Sequence, residues 1–226
     1  MVCIIASNKK WYAELPELLS AYTGHQFVYI KRKEDLSMEF LERIKPRYIF
    51  FPHWSYIIPP DVFEEYECII FHMTDVPFGR GGSPLQNLIS RGIYETKISA
   101  LRCVKELDAG PVYLKRPLSL YGSAEEIYLR ASEIIEDMIC QIIKEQPVPV
   151  EQTGEITCFS RRKPEQSDIA ELTSLQQVFD YIRMLDADGY PHAFLETEHF
   201  RFEFERASIK KGQVIADVKI TERKNE

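Results

Sequence analysis

Four short apolar runs constrain this chain more than any other feature: Val2–Ser7, Phe27–Lys31, Tyr48–Pro52 and Cys68–His72. They are rich in β-branched and aromatic residues, as buried strands are. Glu14–Tyr22, between the first two, reads as a helix stopped at Gly24. Strands that are apolar throughout and separated by helices imply a parallel sheet covered on both faces. The predicted class is therefore α/β, a Rossmann-like, mostly parallel sheet with helices on both faces.

The remaining chain extends that pattern. Ser83-Pro84-Leu85-Gln86 reads as a capping box, and Gly92 as the stop of its helix. Lys97–Val104 and Val112–Leu120 read as two strands around a turn at Asp108. Ser123-x-x-Glu126 caps a long helix, whose Ile127, Ala131, Ile134, Met138 and Ile142 form a core stripe. Prolines 147 and 149 make Gln146–Glu151 an extended linker. Beyond it, Thr157–Arg162 reads as a short strand and Ser174–Leu185 as a helix. Ala193–Leu195, Phe200–Ala207 and Val214–Ile220 alternate like antiparallel strands. The expected organisation is a catalytic domain over 1–150 and a small C-terminal α+β appendage over 151–226.

Composition narrows the class. In a chain of 226 residues, 45% apolar content can fill a substantial core. No apolar run approaches the roughly 18 uncharged residues of a membrane span, so no membrane partner is expected. The opening MVCIIASNKKW places its charges after the apolar run, the reverse of a signal peptide. The cysteines at 3, 68, 103, 140 and 158 are scattered and read as thiols in a reducing compartment, which predicts a cytoplasmic protein. No C-x-x-C pair or His/Cys cluster points to a metal. The net charge of −7 weighs against nucleic acid as a partner.

The chemistry concentrates in Phe71–Arg91, FHMTDVPFGRGGSPLQNLISR, and Glu106–Val112, ELDAGPV. His72 ends an apolar run just before a turn-rich loop. Asp108 sits in a Leu-Asp-Ala-Gly-Pro turn after another run. A histidine and a carboxylate at neighbouring strand ends make a proton-handling pair, at the sheet edge where parallel sheets bind ligands. The plainer alternative is a histidine on a backbone carbonyl and an aspartate capping a turn. Pro52–Phe63 sends His53, Trp54, Ser55 and Tyr56 from a strand toward a double proline. These are either core-edge aromatics or one wall of a slot for a flat heteroaromatic. The turn Ser7-Asn8-Lys9-Lys10-Trp11 lacks a G-x-G-x-x-G pattern, which argues against a dinucleotide. It either holds a substrate phosphate or is a solvated turn. Arg161-Arg162-Lys163 reads as a solvated corner.

His72, Thr74, Pro77, Arg80-Gly81, Pro84 and Asp108-Ala109-Gly110 together resemble the formyltransferases that use 10-formyltetrahydrofolate. The resemblance covers about Val2 to Phe194. It implies His72 and Asp108 as catalytic residues. It implies a pteridine slot between Trp54, Ser55, Tyr56, Ile57 and Val104, Lys105, Glu106, Leu107. It places substrate contacts at Ser7, Asn8, Lys9, Thr74, Arg80 and Gly81, and needs no metal. One departure stands out. The family's N-x-H asparagine, taken to hold the formyl oxygen, falls on Ile70, which cannot donate a hydrogen bond. His53, Thr74 or a backbone N–H is then the candidate oxyanion donor. The appendage and the FHMTDVPFGRGGSPLQNLI wording resemble the bacterial sugar N-formyltransferases of pseudaminic-acid-type pathways. The implied reaction moves a formyl group to the amine of a nucleotide-linked amino sugar, with folate and that sugar as partners and no nucleic acid. A homodimer is left open. The alternatives are a methionyl-tRNA-type formyltransferase and a non-catalytic folate or nucleotide-sugar binding protein.

Overall fold

A computed structural model describes residues 1–223. The elements, in chain order, are β1 (Val2–Ala6), α1 (Leu15–Thr23), β2 (Gln26–Ile30), α2 (Met38–Ile44), β3 (Tyr48–Pro52), α3 (Pro60–Glu65) and β4 (Cys68–His72). There follow β5 (Arg80–Gly81), α4 (Pro84–Ile89), β6 (Glu95–Arg102), β7 (Val112–Ser119) and α5 (Ala124–Glu145). The last are β8 (Cys158–Phe159), α6 (Leu175–Arg183), β9 (Ala193–Glu196), β10 (Phe200–Lys210) and β11 (Gln213–Glu222). They form a mixed α/β fold whose main sheet has the order β2-β1-β3-β4-β6-β7.

The apolar runs became strands for the expected reason. β1 pairs in parallel with β2 and β3, and β3 with β4. Alternation sends Ile49 and Phe51 to one face, into a cluster with Ile4, Leu41, Val62 and Cys68. Tyr48 and Phe50 take the other face, and Phe50 meets Phe71 at 6.3 Å between ring centres. β6 departs from the parallel pattern. It runs antiparallel to β4, with Ser99 opposite His72 and Arg102 opposite Ile69. Its end therefore lies away from His72, and the segment after it must climb back to bring Asp108 there.

Two local readings are corrected. Ser83 does not cap α4: its φ is +50°, and its Oγ accepts from the Arg162 amide at 3.0 Å. Gln86 turns inward and donates to Tyr128 Oη and the Met184 carbonyl. A buried amide with two acceptors outweighs a surface cap. On α5, Ile135 is fully buried where the sequence stripe named Ile134, and Ile127, Ala131, Met138 and Ile142 are buried as expected. The Ser123–Glu126 box forms reciprocally, at 3.3 and 2.7 Å.

The chain divides into two compact units. One comprises Met1–Gly81, Thr96–Leu118 and Leu129–Cys158, and the other Gly82–Glu95, Ser119–Tyr128 and the chain from Phe159 on. The second unit contains the antiparallel sheet β11-β10-β9. Its helix α6 starts at Ser174, whose side chain accepts from the Gln177 amide.

Phe51 is 1% exposed and touches Trp54 edge to face, so Phe51→Ala should lower unfolding free energy by about 3–5 kcal/mol. Denaturant titration followed by tryptophan fluorescence measures this. A loss under about 1 kcal/mol would mean that the cluster is not tightly packed there.

Candidate functional site

All of the following residues lie in the first unit. β4 alternates so that Cys68, Ile70 and His72 share a face, and His72 ends the strand with 7% exposure. Its Nε2 donates to the Gly79 carbonyl at 2.8 Å. Its Nδ1 lies 3.5 Å from Asp108 Oδ2. With the proton fixed on Nε2, the Nδ1 lone pair faces the carboxylate.

Asp108 is 8% exposed and adopts φ +52°, a left-handed conformation that aspartate tolerates better than most residues. Its Oδ2 also accepts the Gly81 amide at 2.9 Å. A Cβ on Gly110 would lie 1.9 Å from the Arg102 carbonyl, so only glycine lets this turn pack against the end of β6. Gln152 holds the turn from outside, donating to the Asp108 and Gly110 carbonyls at 2.8 Å each. Arg80 in turn donates twice to Gln152 Oε1, at 3.0 and 2.8 Å. Arg80 and Gly81 are thus brought to Asp108 as its supports.

Thr74 is fully buried, and its hydroxyl donates to the Gly79 carbonyl at 3.2 Å. The Thr74 carbonyl accepts from Ser99 Oγ at 2.7 Å. The next residue, Asp75, is gripped by Lys115 at 2.5 Å and Lys97 at 2.9 Å. Although partial burial pushes its carboxyl pKa up, the two lysines hold it below the usual range.

At the end of β3, register sets Pro52 beside Phe71, so His53 follows next to His72. His53 has φ +51°. Its Nδ1 lies 2.7 Å from Tyr12 Oη and its Nε2 3.0 Å from Met73 Sδ. A thioether sulfur only accepts, so Nε2 carries the proton and Tyr12 donates to Nδ1. Part of the residue is exposed, but both ring nitrogens turn onto protein partners. Burial first, then the charges of Lys9 and His72, push its pKa down from 6.5 to about 3.

Trp54 packs on Phe51 and Tyr56, at 5.9 and 5.1 Å, and borders the same cluster as Ile70 and Cys103. Its Nε1 is a buried donor with no partner among the described residues. Ser55, Tyr56 and Ile57 are exposed, Ile57 at 92%. Val104 is half-buried, and Lys105, Glu106 and Leu107 are exposed. Ser7 is fully buried; its amide donates to the Ile30 carbonyl, and its hydroxyl accepts the Lys9 amide. Asn8 Oδ1 is a buried acceptor with no partner among the described residues. Sequence reasoning missed Tyr12, Ser99 and Gln152. Nothing local marks them, because each acts through a partner distant in the chain.

A family model described as methionyl-tRNA formyltransferase, C-terminal domain, matches residues 164–221. A methionyl-tRNA formyltransferase from Wolbachia pipientis is 26% identical over 200 residues, which is 82% of this chain and 64% of that relative. This chain therefore spans less than two thirds of that relative's length. A solved structure titled methionyl-tRNA formyltransferase, from Clostridium thermocellum, is 50% identical with a TM-score of 0.96, covering 99% of this chain and 100% of its own. A formyltransferase from Anoxybacillus kamchatkensis, solved with a formamido sugar nucleotide and tetrahydrofolate, is only 16% identical. Its TM-score is 0.60, over 74% of this chain and 89% of its own.

These findings overturn the amino-sugar reading. The chain half identical throughout is described as a tRNA formyltransferase, while the sugar enzyme shares the fold alone. The resemblance in the appendage reflected that shared fold, which does not set the acceptor. The exclusion of nucleic acid falls with it, since a net charge is a sum over the whole chain and does not describe any one surface.

The low pKa of His53 has a consequence for stability. The unfolded imidazole takes up a proton near pH 6.5, while the folded one stays neutral down to about pH 3. Between those values the unfolded state binds more protons, so acid favours unfolding. Thermal stability should fall as pH drops through this window, and His53→Gln should flatten the fall. An equally steep profile in His53→Gln would show that His53 is not the group responsible.

Proposed function

The chain belongs to the formyltransferase family, and on that premise we propose that it transfers the formyl group of 10-formyltetrahydrofolate to the α-amine of methionyl-tRNA. The observation that carries the chemistry is the buried His72–Asp108 pair. The description of the Clostridium thermocellum relative supports the acceptor.

The amine nitrogen attacks the formyl carbon, and as the C–N10 bond breaks the tetrahydrofolate N10 leaves with the proton that the amine has given up and His72 relays. The amine must lose a proton as the new C–N bond forms. His72 holds its own proton toward Gly79, so it takes this one on Nδ1, where the Asp108 carboxylate stabilises the charge. Asp108 stays in place because Gly81 and Gln152 fix its carboxylate and its turn.

The folate is assigned to the surface between Trp54–Ile57 and Val104–Leu107. A pteridine offers ring nitrogens and a carbonyl as acceptors, and the unpaired Trp54 N–H supplies a donor beside an apolar wall. Ser7–Lys9 is assigned to the acceptor substrate. Asn8 Oδ1 is itself an acceptor, so it suits a hydroxyl or amine donor, and any phosphate contact falls to Lys9.

Incubation with 10-formyltetrahydrofolate and charged initiator tRNA should yield formyl-methionyl-tRNA, separable after deacylation by the added formyl mass. Its absence at stoichiometric protein would sink the acceptor assignment. His72→Ala should lower turnover by roughly 10²–10⁴-fold with the fold intact. Asp108→Asn keeps shape and removes charge, so it should lower kcat more than folate affinity. A variant that loses only affinity would make Asp108 a binding residue.

A further inference from the structure

We propose that the Nε2–H of His53, set by Tyr12, is the group that donates to the formyl oxygen as negative charge develops on it. The proposal rests on the formyl-transfer reading above, and it adds a residue to that site.

Attack on the formyl carbon turns its carbonyl oxygen into an oxyanion, which needs a preorganised donor. Three donors near His72 are already engaged, and one side chain there has none to offer. Ile70, on the same face of β4, has none. The Thr74 hydroxyl, the His72 Nε2–H and the Gly81 amide are already given to Gly79 and Asp108. His53 differs from these in its partner. It follows β3 at the position next to His72, and its Nε2–H is given to a thioether sulfur, Met73 Sδ. Sulfur is a weak acceptor, so an oxyanion displaces it at little cost.

Tyr12 supplies the second half of the device. It is fully buried, and with the imidazole proton placed on Nε2 by the Met73 sulfur, its hydroxyl at 2.7 Å donates to Nδ1 and holds that tautomer. The ring is also held neutral, since its pKa lies near 3. A neutral imidazole can donate one hydrogen bond without giving its proton to a leaving group. His53 and His72 therefore divide the work: His72 moves a proton and His53 keeps one.

A test independent of the acceptor uses ¹⁵N-imidazole NMR on the whole chain. In the free protein His53 should show a neutral ring protonated at Nε2 between pH 5 and 8. Adding a formylated folate should shift Nε2, while unformylated tetrahydrofolate at saturation should not. Equal shifts from both, or none from either, would overturn the proposal. Failure of both folates to bind would also remove the formyl-transfer reading, whereas failure of tRNA alone would leave this test standing.

Kinetics supply the second measurement. His53→Ala should lower kcat by about 10²–10³-fold, with the folate KM within about threefold of wild type. Tyr12→Phe should lower it by a smaller factor, because the tautomer is released while the ring stays. Ile70→Asn should restore at least a tenfold share of the His53→Ala loss, and should not help the parent protein. His53→Ala at wild-type kcat, or a loss confined to folate KM, would overturn the assignment.

Discussion

The site depends on a single carboxylate oxygen. Asp108 Oδ2 accepts the Gly81 amide and faces the His72 ring, so loop, turn and strand end meet there. A carboxylate only 8% exposed loses much of its hydration and needs hydrogen-bond partners in compensation. The Gly81 N–H is one partner, and the ring becomes another whenever it charges. Two further features keep the oxygen in place. Gly110 allows the turn to press against β6, and Gln152, backed by Arg80, ties down two of its carbonyls. Together these contacts fix where the Asp108 carboxylate points.

How much of this could be read from the chain follows from the range of each interaction. The parallel strands were legible because a strand buried on both faces must be apolar at every position, as Ile49, Phe50 and Phe51 are. The antiparallel run of β6 was not, since Ile98, Ala100 and Leu101 are buried in either direction. The reading of Asp108 as a strand-end residue therefore named the right neighbour by the wrong route. The box at Ser83 failed for a related reason. The sequence records that Gln86 can reach back to a helix start, but not that Tyr128 and the Met184 carbonyl offer it better partners. By contrast the Ser123 and Glu126 bonds lie at an exposed helix start, and their box formed.

The error about partners had a different origin. Charge was summed over the chain, whereas recognition depends on where charges lie and on what they already hold. Many of the acidic groups here are engaged: Asp75 by Lys97 and Lys115, Asp180 by Arg183, Glu196 and Glu203 by Arg201. Each such pair is already cancelled within the total of −7, which does not tell where the remaining charges lie. Fold resemblance misled in the opposite direction. Proteins of this fold differ in their acceptors, and the fold alone does not say which amine arrives.

Buried polar groups are nearly always hydrogen-bonded, and an orphan costs about 1–3 kcal/mol. In the first unit the hydroxyls of Thr74 and Ser99, the Gln152 amide and the Arg80 guanidinium are all given to the backbone or to one another. These bonds build the site. Two buried atoms of that unit remain unpaired among the described residues, the donor Trp54 Nε1 and the acceptor Asn8 Oδ1. Each belongs to a segment leaving a strand at the end where His53 and His72 sit, and one is a donor while the other is an acceptor. Leaving them bare costs the free protein stability, and a ligand that paired with either atom would recover that cost on binding.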